Sequence, residues 1–286
     1  MTDRPFSPVL VSRLRLGALV GCLALGASIL LSATATAQTA VPPYAYDGAR
    51  GPAKWSALDP AWRACAGRAQ SPIALQREGT PALDLPDFVF DYGRLRGQFV
   101  HDGAALRFDA EPGNVMYSGN DALDLAAVHL RAPSEHVIDG RAMPLELQFE
   151  HRAPDGKTII IAVFAQQGAD SRALPVGDAL RALLPTKKGE RKPLPATVSF
   201  DAEAFYPQDR RSFRYDGSLT APPCTEGASW VVMPDAIKLG AEQIDVLLDA
   251  LAALPSAAAD GAIKRGAQPA NGRTVRFDSR AGRGEG

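Results

Sequence analysis

The sequence predicts a mostly β protein built as one domain, and three observations carry that expectation. Short segments rich in branched and aromatic residues, each bounded by Gly, Pro, Asp or Asn, recur through the middle of the chain. Only two stretches have helical spacing or helical punctuation. No internal repeat and no second block of distinct composition breaks the pattern. The chain has 286 residues, which leaves room for one large β-rich domain after an N-terminal leader.

Residues 88–90, 97–100, 106–109, 145–150, 158–164 and 229–233 are the predicted strands. Residues 176–184, held between Pro175 and Pro185, form the first predicted helix. Residues 241–254 form the second. They place Ile244, Leu247, Leu248, Leu251 and Leu254 on one face and stop at Pro255. Both are expected to be packing elements. The basic run 187–192 lies between prolines and is expected to be a solvated loop. From Asp278 onward the chain is rich in Arg and Gly and is expected to be disordered.

The N-terminus has the features of an export signal. Arg4, Arg13 and Arg15 precede an apolar run over residues 16–31, and Ala35-Thr36-Ala37 is a small-x-small cleavage site. Cleavage there starts the mature chain at Gln38. The expected organisation is a signal peptide at 1–37, one domain at 38–277 and a tail at 278–286. The apolar run is shorter than the roughly 20 residues of a membrane span, so no span is expected after cleavage. An uncleaved anchor is the alternative. Leu19-Val20-Gly21-Cys22 resembles a lipid-attachment box, but the apolar run continues past Cys22. A periplasmic or secreted location follows.

Thirty-one basic and 32 acidic residues balance along the chain. Nothing resembles the one-sided positive field of a nucleic-acid binder, so no nucleic-acid partner is expected. Cys65 and Cys224 remain after cleavage, and an even pair in an exported chain predicts a disulfide.

Three motifs point to a family. Tyr215-Asp216-Gly217-Ser218-Leu219-Thr220-Ala221-Pro222-Pro223-Cys224-Thr225-Glu226-Gly227 resembles the signature loop of the α-class carbonic anhydrases. Gln70-Ser71-Pro72-Ile73 and Ala132-Pro133-Ser134-Glu135-His136 match two further motifs of that family. The resemblance starts near Tyr46 and Trp55 and ends near Gln268-Pro269-Ala270-Asn271-Gly272-Arg273. It implies a twisted, mainly antiparallel sheet of about ten strands with short peripheral helices, and an active-site cone reaching the middle of the sheet. It also implies that Cys65 and Cys224 are paired. On the chain-entropy account, closing so long a loop stabilises by about 5 kcal/mol.

Members of that family hold zinc with three histidines, two of them two residues apart on one strand and the third in a Glu-x-His pattern on the next. Aligned on Ser134-Glu135-His136 and on Glu146-Leu147, this chain places His129, Arg131 and Gln148 at those positions. A guanidinium has no lone pair to donate and is a permanent cation. No metal is therefore expected, and zinc belongs only to an alternative in which an unusual ligand set is used. The resemblance makes His136 and His151 structural. It puts the proton-shuttle position at Ala104, just after His101-Asp102-Gly103. Glu146, Gln148 and Glu150 share one strand face, so Glu150 replaces an apolar wall of the carbon dioxide pocket with a charge. Leu219 and Trp230 are expected on the apolar side of the cone. Thr220 is expected to orient hydroxide, with Glu135 accepting its hydrogen bond. The same pair can equally serve only to knit the fold.

The expected function is an exported carbonic anhydrase homologue without efficient carbon dioxide hydration, acting as a binding or scaffold module. The alternative is a zinc enzyme that hydrates carbon dioxide to bicarbonate. A hydrolytic activity of Glu135, Glu146 or Glu150 is a weaker third course, since nothing in the sequence sets their separation. Arg131 needs a buried counter-charge. That is either a small anion such as bicarbonate or a carboxylate, or an internal partner among Glu135, Glu146 and Glu150, and the internal pair is favoured. An unidentified protein partner suits the scaffold role. Peptide mapping without reduction is expected to recover the peptides around Cys65 and Cys224 as one linked species. Alkylation of both cysteines in unreduced protein would rule the bond out.

Overall fold

The computed structural model describes residues 44–280. The leader, the apolar run before it ends, and its cleavage site lie outside the described residues, as do residues 281–286. One large sheet dominates. Along its main path the strands run, from one edge to the other, Arg191–Pro193, Gly97–His101, Leu106–Ala110, Asp121–Arg131, Leu145–Arg152, Thr158–Gln167, Glu226–Leu239, Ser212–Ser218, Arg276–Asp278 and Ala82–Leu83. The pair Phe88–Asp91 and Val115–Ser118 joins beside Asp121–Arg131. The sheet therefore has twelve strands, and most neighbours are antiparallel. The two parallel contacts are Thr158–Gln167 with Glu226–Leu239, and Arg276–Asp278 with Ala82–Leu83.

The central strands are buried on both faces. Odd-numbered residues Leu145, Leu147 and Phe149 join Ile159, Ile161 and Val163 in the larger core, together with Val128 and Leu130. Even-numbered Ile160, Ala162 and Phe164 belong to a smaller core on the other face, with Trp230 and Val232. Strand side chains alternate between faces, so Thr158–Gln167 and Glu226–Leu239 feed both cores. The helix Ala241–Ala252 buries Ile244, Val246, Leu247 and Leu251 against the larger core. Gln243 caps its start by accepting from the Gly240 amide. Cys65, in the short helix Pro60–Ala66, is bonded to Cys224 in the signature loop.

Several expectations need correction. The α-helix expected at 176–184 covers only Asp178–Arg181. Gly177 at φ 56 starts it late. Leu183 and Leu184 then continue in tighter turns, bonding back three residues, because the residue before Pro185 disfavours the α conformation. The basic run is not wholly a loop: Arg191–Pro193 is an edge strand on Gly97–His101, and Lys192 Nζ donates to the Leu184 carbonyl at 2.8 Å. Order also continues past residue 277. Asp278 pairs with Ser212, and Arg214 donates to its carboxylate at 2.6 Å. Six of the twelve strands went unrecognised, the longest being Asp121–Arg131 and Ser212–Ser218. Alanines and charges in the first, and Arg, Asp and Gly in the second, hide the branched and aromatic signature of a strand.

Candidate functional site

The strand Asp121–Arg131 pairs antiparallel with Leu145–Arg152, setting His129 opposite Gln148 and Arg131 opposite Glu146. Residues opposite each other in such a pair point to the same face. On the flanks, Arg107 faces His129 and Asp109 faces Ala127, while Ile160 faces Glu150. Four adjacent strands thus raise one patch of side chains from the sheet. The signature loop brings Leu219, Thr220, Ala221 and Pro222 over it. Together they enclose a cleft of about 340 Å³.

His129 Nε2 lies 2.7 Å from Glu150 Oε2, and Arg152 Nε donates to Glu150 Oε1 at 2.6 Å. Burial favours the neutral acid at Glu150. The hydrogen bonds and charges of His129 and Arg152 outweigh it and hold the carboxyl at about 2. Gln148 sits at the centre. Its amide nitrogen donates to Glu135 Oε2 at 2.7 Å and to Glu146 Oε1 at 2.9 Å. Its carbonyl accepts a long bond of 3.4 Å from the Thr220 hydroxyl. Glu146 is also bound by the amide and the Nδ1 of His136, each at 2.8 Å. Burial opposes its ionisation, and the charge and hydrogen bonds of His136, with the Gln148 amide, lower its pKa nonetheless.

Arg131 is 2 % exposed and lies on the floor of the cleft. Its Nε is 3.3 Å from Glu135 Oε1, and Nη1 donates to the Leu130 carbonyl at 3.1 Å. Burial works against the charge, but Tyr46, Glu135, Tyr44 and Glu146 around it more than compensate, and its pKa is raised. Of the three carboxylates expected to meet Arg131, Glu135 is therefore the ion-pair partner. Glu146 is taken up by His136, and Glu150 by His129 and Arg152.

Other expected residues fall differently. Thr220 does not donate to Glu135, because the Gln148 amide stands between them and bonds both. Glu135 Oε1 instead accepts from the Arg265 amide at 2.8 Å. Trp230 is buried beside the cleft and does not line it. Its Nε1 donates to the Ser218 carbonyl and its ring packs 4.8 Å from that of His136. Ala104 is buried too, its carbonyl accepting from the Ser256 hydroxyl, and Ala105 lines the cleft in its place. Leu219 and Glu150 do line the cleft. His136 bonds the Tyr215 hydroxyl at 2.7 Å, and His151 is bonded to Tyr92. Among the described residues no three His, Cys, Asp or Glu side chains are grouped to hold a metal ion.

The sequence did not single out Arg107, Asp109, Arg152 or Ile160. Arg107 bridges Asp102 and Asp109 at the rim, at 2.9 and 2.6 Å. The alternation of residues 107 and 109 on a predicted strand was the available signal, but only the pairing with His129 says which face is the cleft.

A family model described as eukaryotic-type carbonic anhydrase matches residues 50–279. The chain belongs to that family. It is 31% identical over 254 residues to a carbonic anhydrase of Pectobacterium carotovorum, covering 88% of this chain and 97% of that one. A solved α-carbonic anhydrase from Thermovibrio ammonificans, bound to sulfanilamide, superposes with a TM-score of 0.73 at 26% identity, covering 82% of this chain and 98% of that one. A dioscorin complexed with ascorbate superposes with a TM-score of 0.70 at 26% identity, covering 83% and 98%. The fold inferred from the motifs is the fold of these relatives.

Glu150 yields a direct prediction. Its folded pKa of about 2 lies below the unfolded value of about 4.3. The stabilisation is present above the unfolded value and is lost as pH falls through the folded one. Glu150→Gln is therefore expected to lower stability at pH 7 by roughly 2–3 kcal/mol. The deficit should shrink between about pH 4 and pH 2, read by denaturant unfolding across that range. A deficit that stays constant with pH would mean that ionisation of Glu150 is not its source.

Proposed function

We propose that this carbonic anhydrase family member works without a metal, as an exported binding module with a polar cleft, and does not hydrate carbon dioxide efficiently. The single observation that carries this is the Arg131 guanidinium on the cleft floor, held beside Glu135. A catalytic zinc takes three lone-pair donors and one open position. Arg131 offers a cation instead of a lone pair. The Gln148 amide group is committed to Glu135 and Glu146. His129 Nε2 is engaged by Glu150. These residues do not fit zinc, and no catalytic step is assigned to it.

Three further points agree. Glu150 charges the wall where carbon dioxide would need an apolar surface. Ala105, which lines the cleft where the shuttle was expected, carries no imidazole to move protons out. The carboxylates Glu135, Glu146 and Glu150 are each spent on hydrogen-bonded partners, which leaves none as a free acid or base for hydrolysis. The dioscorin structure holds ascorbate, so a protein of this fold accommodates a small organic molecule. The Cys65–Cys224 bond suits an oxidising compartment and, with the predicted leader, supports a periplasmic or secreted location. No helix among the described residues is long and apolar enough to cross a membrane.

Family membership favours the second course, a zinc enzyme with an unusual ligand set, and one measurement separates the two. Elemental analysis of purified protein after incubation with excess zinc is expected to find no stoichiometric metal. About one tightly held zinc per chain would overturn the proposal.

Rebuilding the site tests the role of Glu150. Arg131→His with Gln148→His restores three imidazoles and is expected to recover zinc binding. Adding Glu150→Val frees His129 Nε2 and is expected to tighten zinc further, by about tenfold or more for the loss of one charge-assisted bond. Carbon dioxide hydration should rise again with Ala105→His, since Ala105 lines the cleft. A double variant that already matched an active relative would show that Glu150 and the missing shuttle do not matter.

A further inference from the structure

The donors of Arg131 are not used up. A guanidinium carries five N–H donors. Among the described residues only one hydrogen bond leaves this one, from Nη1 to the Leu130 carbonyl. Nε is buried without a hydrogen-bond partner, although Glu135 lies 3.3 Å away. Glu135 has already directed its oxygens at the Arg265 amide and the Gln148 side chain. The Tyr46 hydroxyl near Arg131 is likewise buried and outside hydrogen-bond geometry. Thr220 spends its hydroxyl only on the 3.4 Å contact with Gln148.

Glu135 and Glu146 are not free to take up those donors. Arg265 is buried behind the cleft, and its guanidinium donates to Gln70 Oε1 and to the carbonyls of Ser71 and Cys65, all neutral oxygens. Its backbone amide holds Glu135 Oε1 at 2.8 Å. The oxygens of Glu146 are held by His136 and the Gln148 amide. Buried donors of a permanent cation without acceptors call for an anionic acceptor.

The rest of the cleft limits the size and character of that acceptor. At about 340 Å³ it is at the small end of ligand sites. Ile160, Leu219, Ala221 and Pro222 supply an apolar wall next to Arg131 and Thr220. The rim cations Arg107 and Arg152 are already paired, with Asp102, Asp109 and Glu150.

We infer that the cleft binds a small monocarboxylate with an apolar body. The carboxylate is received by Arg131, with the Thr220 hydroxyl turning to it, and the body lies against Ile160, Leu219 and Pro222. This rests on the proposal of a metal-free cleft, and the test keeps the two separable.

Isothermal titration calorimetry with benzoate, its neutral isostere benzamide, and bicarbonate is the test, run with and without the neutral chelator 1,10-phenanthroline. Saturable benzoate binding is expected, unchanged by the chelator, with benzamide and bicarbonate each at least tenfold weaker. Arg131→Gln should lose benzoate binding by tenfold or more. Should that variant fail to fold, Leu219→Glu, a change at the half-buried cleft wall, is expected to remove benzoate binding by repulsion. Equal binding of benzamide would overturn the assignment of the carboxylate to Arg131. Equal binding of bicarbonate would overturn the role of the apolar wall. Unchanged binding in folded Leu219→Glu, or no benzoate binding at millimolar concentration, would overturn the site altogether. Binding abolished by phenanthroline would instead overturn the metal-free proposal.

Discussion

Residues 145–151 are buried on both sides of the sheet, so every polar side chain among them has to find its partner inside the protein. An unpaired buried group costs on the order of 1–3 kcal/mol, and a buried charge more. Glu146, Gln148 and Glu150 all fall on one face of this strand. Their neighbours are set accordingly. His136 meets Glu146, His129 and Arg152 meet Glu150, and Gln148 bonds Glu135, Glu146 and Thr220. The opposite face of the same strand is plain core, with Leu145, Leu147 and Phe149 closed against the helix side of the molecule.

That constraint explains why the polar residues of the site belong together. Gln148 is useful here because an amide both donates and accepts, which lets it stand between Glu135 and the Thr220 hydroxyl. Arg131 brings a buried charge, and Glu135 answers it while also holding the Arg265 amide. Arg265 in turn ties Glu135 to the N-terminal motif, through its amide and its guanidinium bonds to Gln70, Ser71 and Cys65. Gln70 and the Cys65–Cys224 bond fasten that motif to the signature loop. Loop, sheet and N-terminal motif are thus one polar assembly, with the cleft as its open side.

Much of this was legible before the structure. The signature loop, Gln70-Ser71-Pro72-Ile73 and Ser134-Glu135-His136 identified the family, and the family model and solved relatives agree with them. The spacing of His129 and Arg131 put both on one strand face, and the strand that carries them is present although its composition concealed it. Partner choice was less legible. Arg131 could reach three carboxylates by spacing alone. Glu150 was claimed by Arg152, two residues along its own strand, and Thr220 was drawn to Gln148. Trp230 and Ala104 shared the expected neighbourhood but are covered by the chain segments packed over them.

The sequence by itself determined the chemistry of the site: the His129 imidazole, the Arg131 guanidinium and the Gln148 amide on facing strands, with Glu150 beside them. Residue type settles that, because a guanidinium cannot donate a lone pair in any fold. It determined the fold as well, since backbone-demanding motifs and alternating apolar runs are local signals. Only the tertiary structure decided which charge answers which, and which faces form the cleft. Those outcomes depend on the register between four strands that are separated in the chain, and on competition among buried donors and acceptors for a limited number of partners. Neither quantity is local, so neither can be read along a single stretch of sequence.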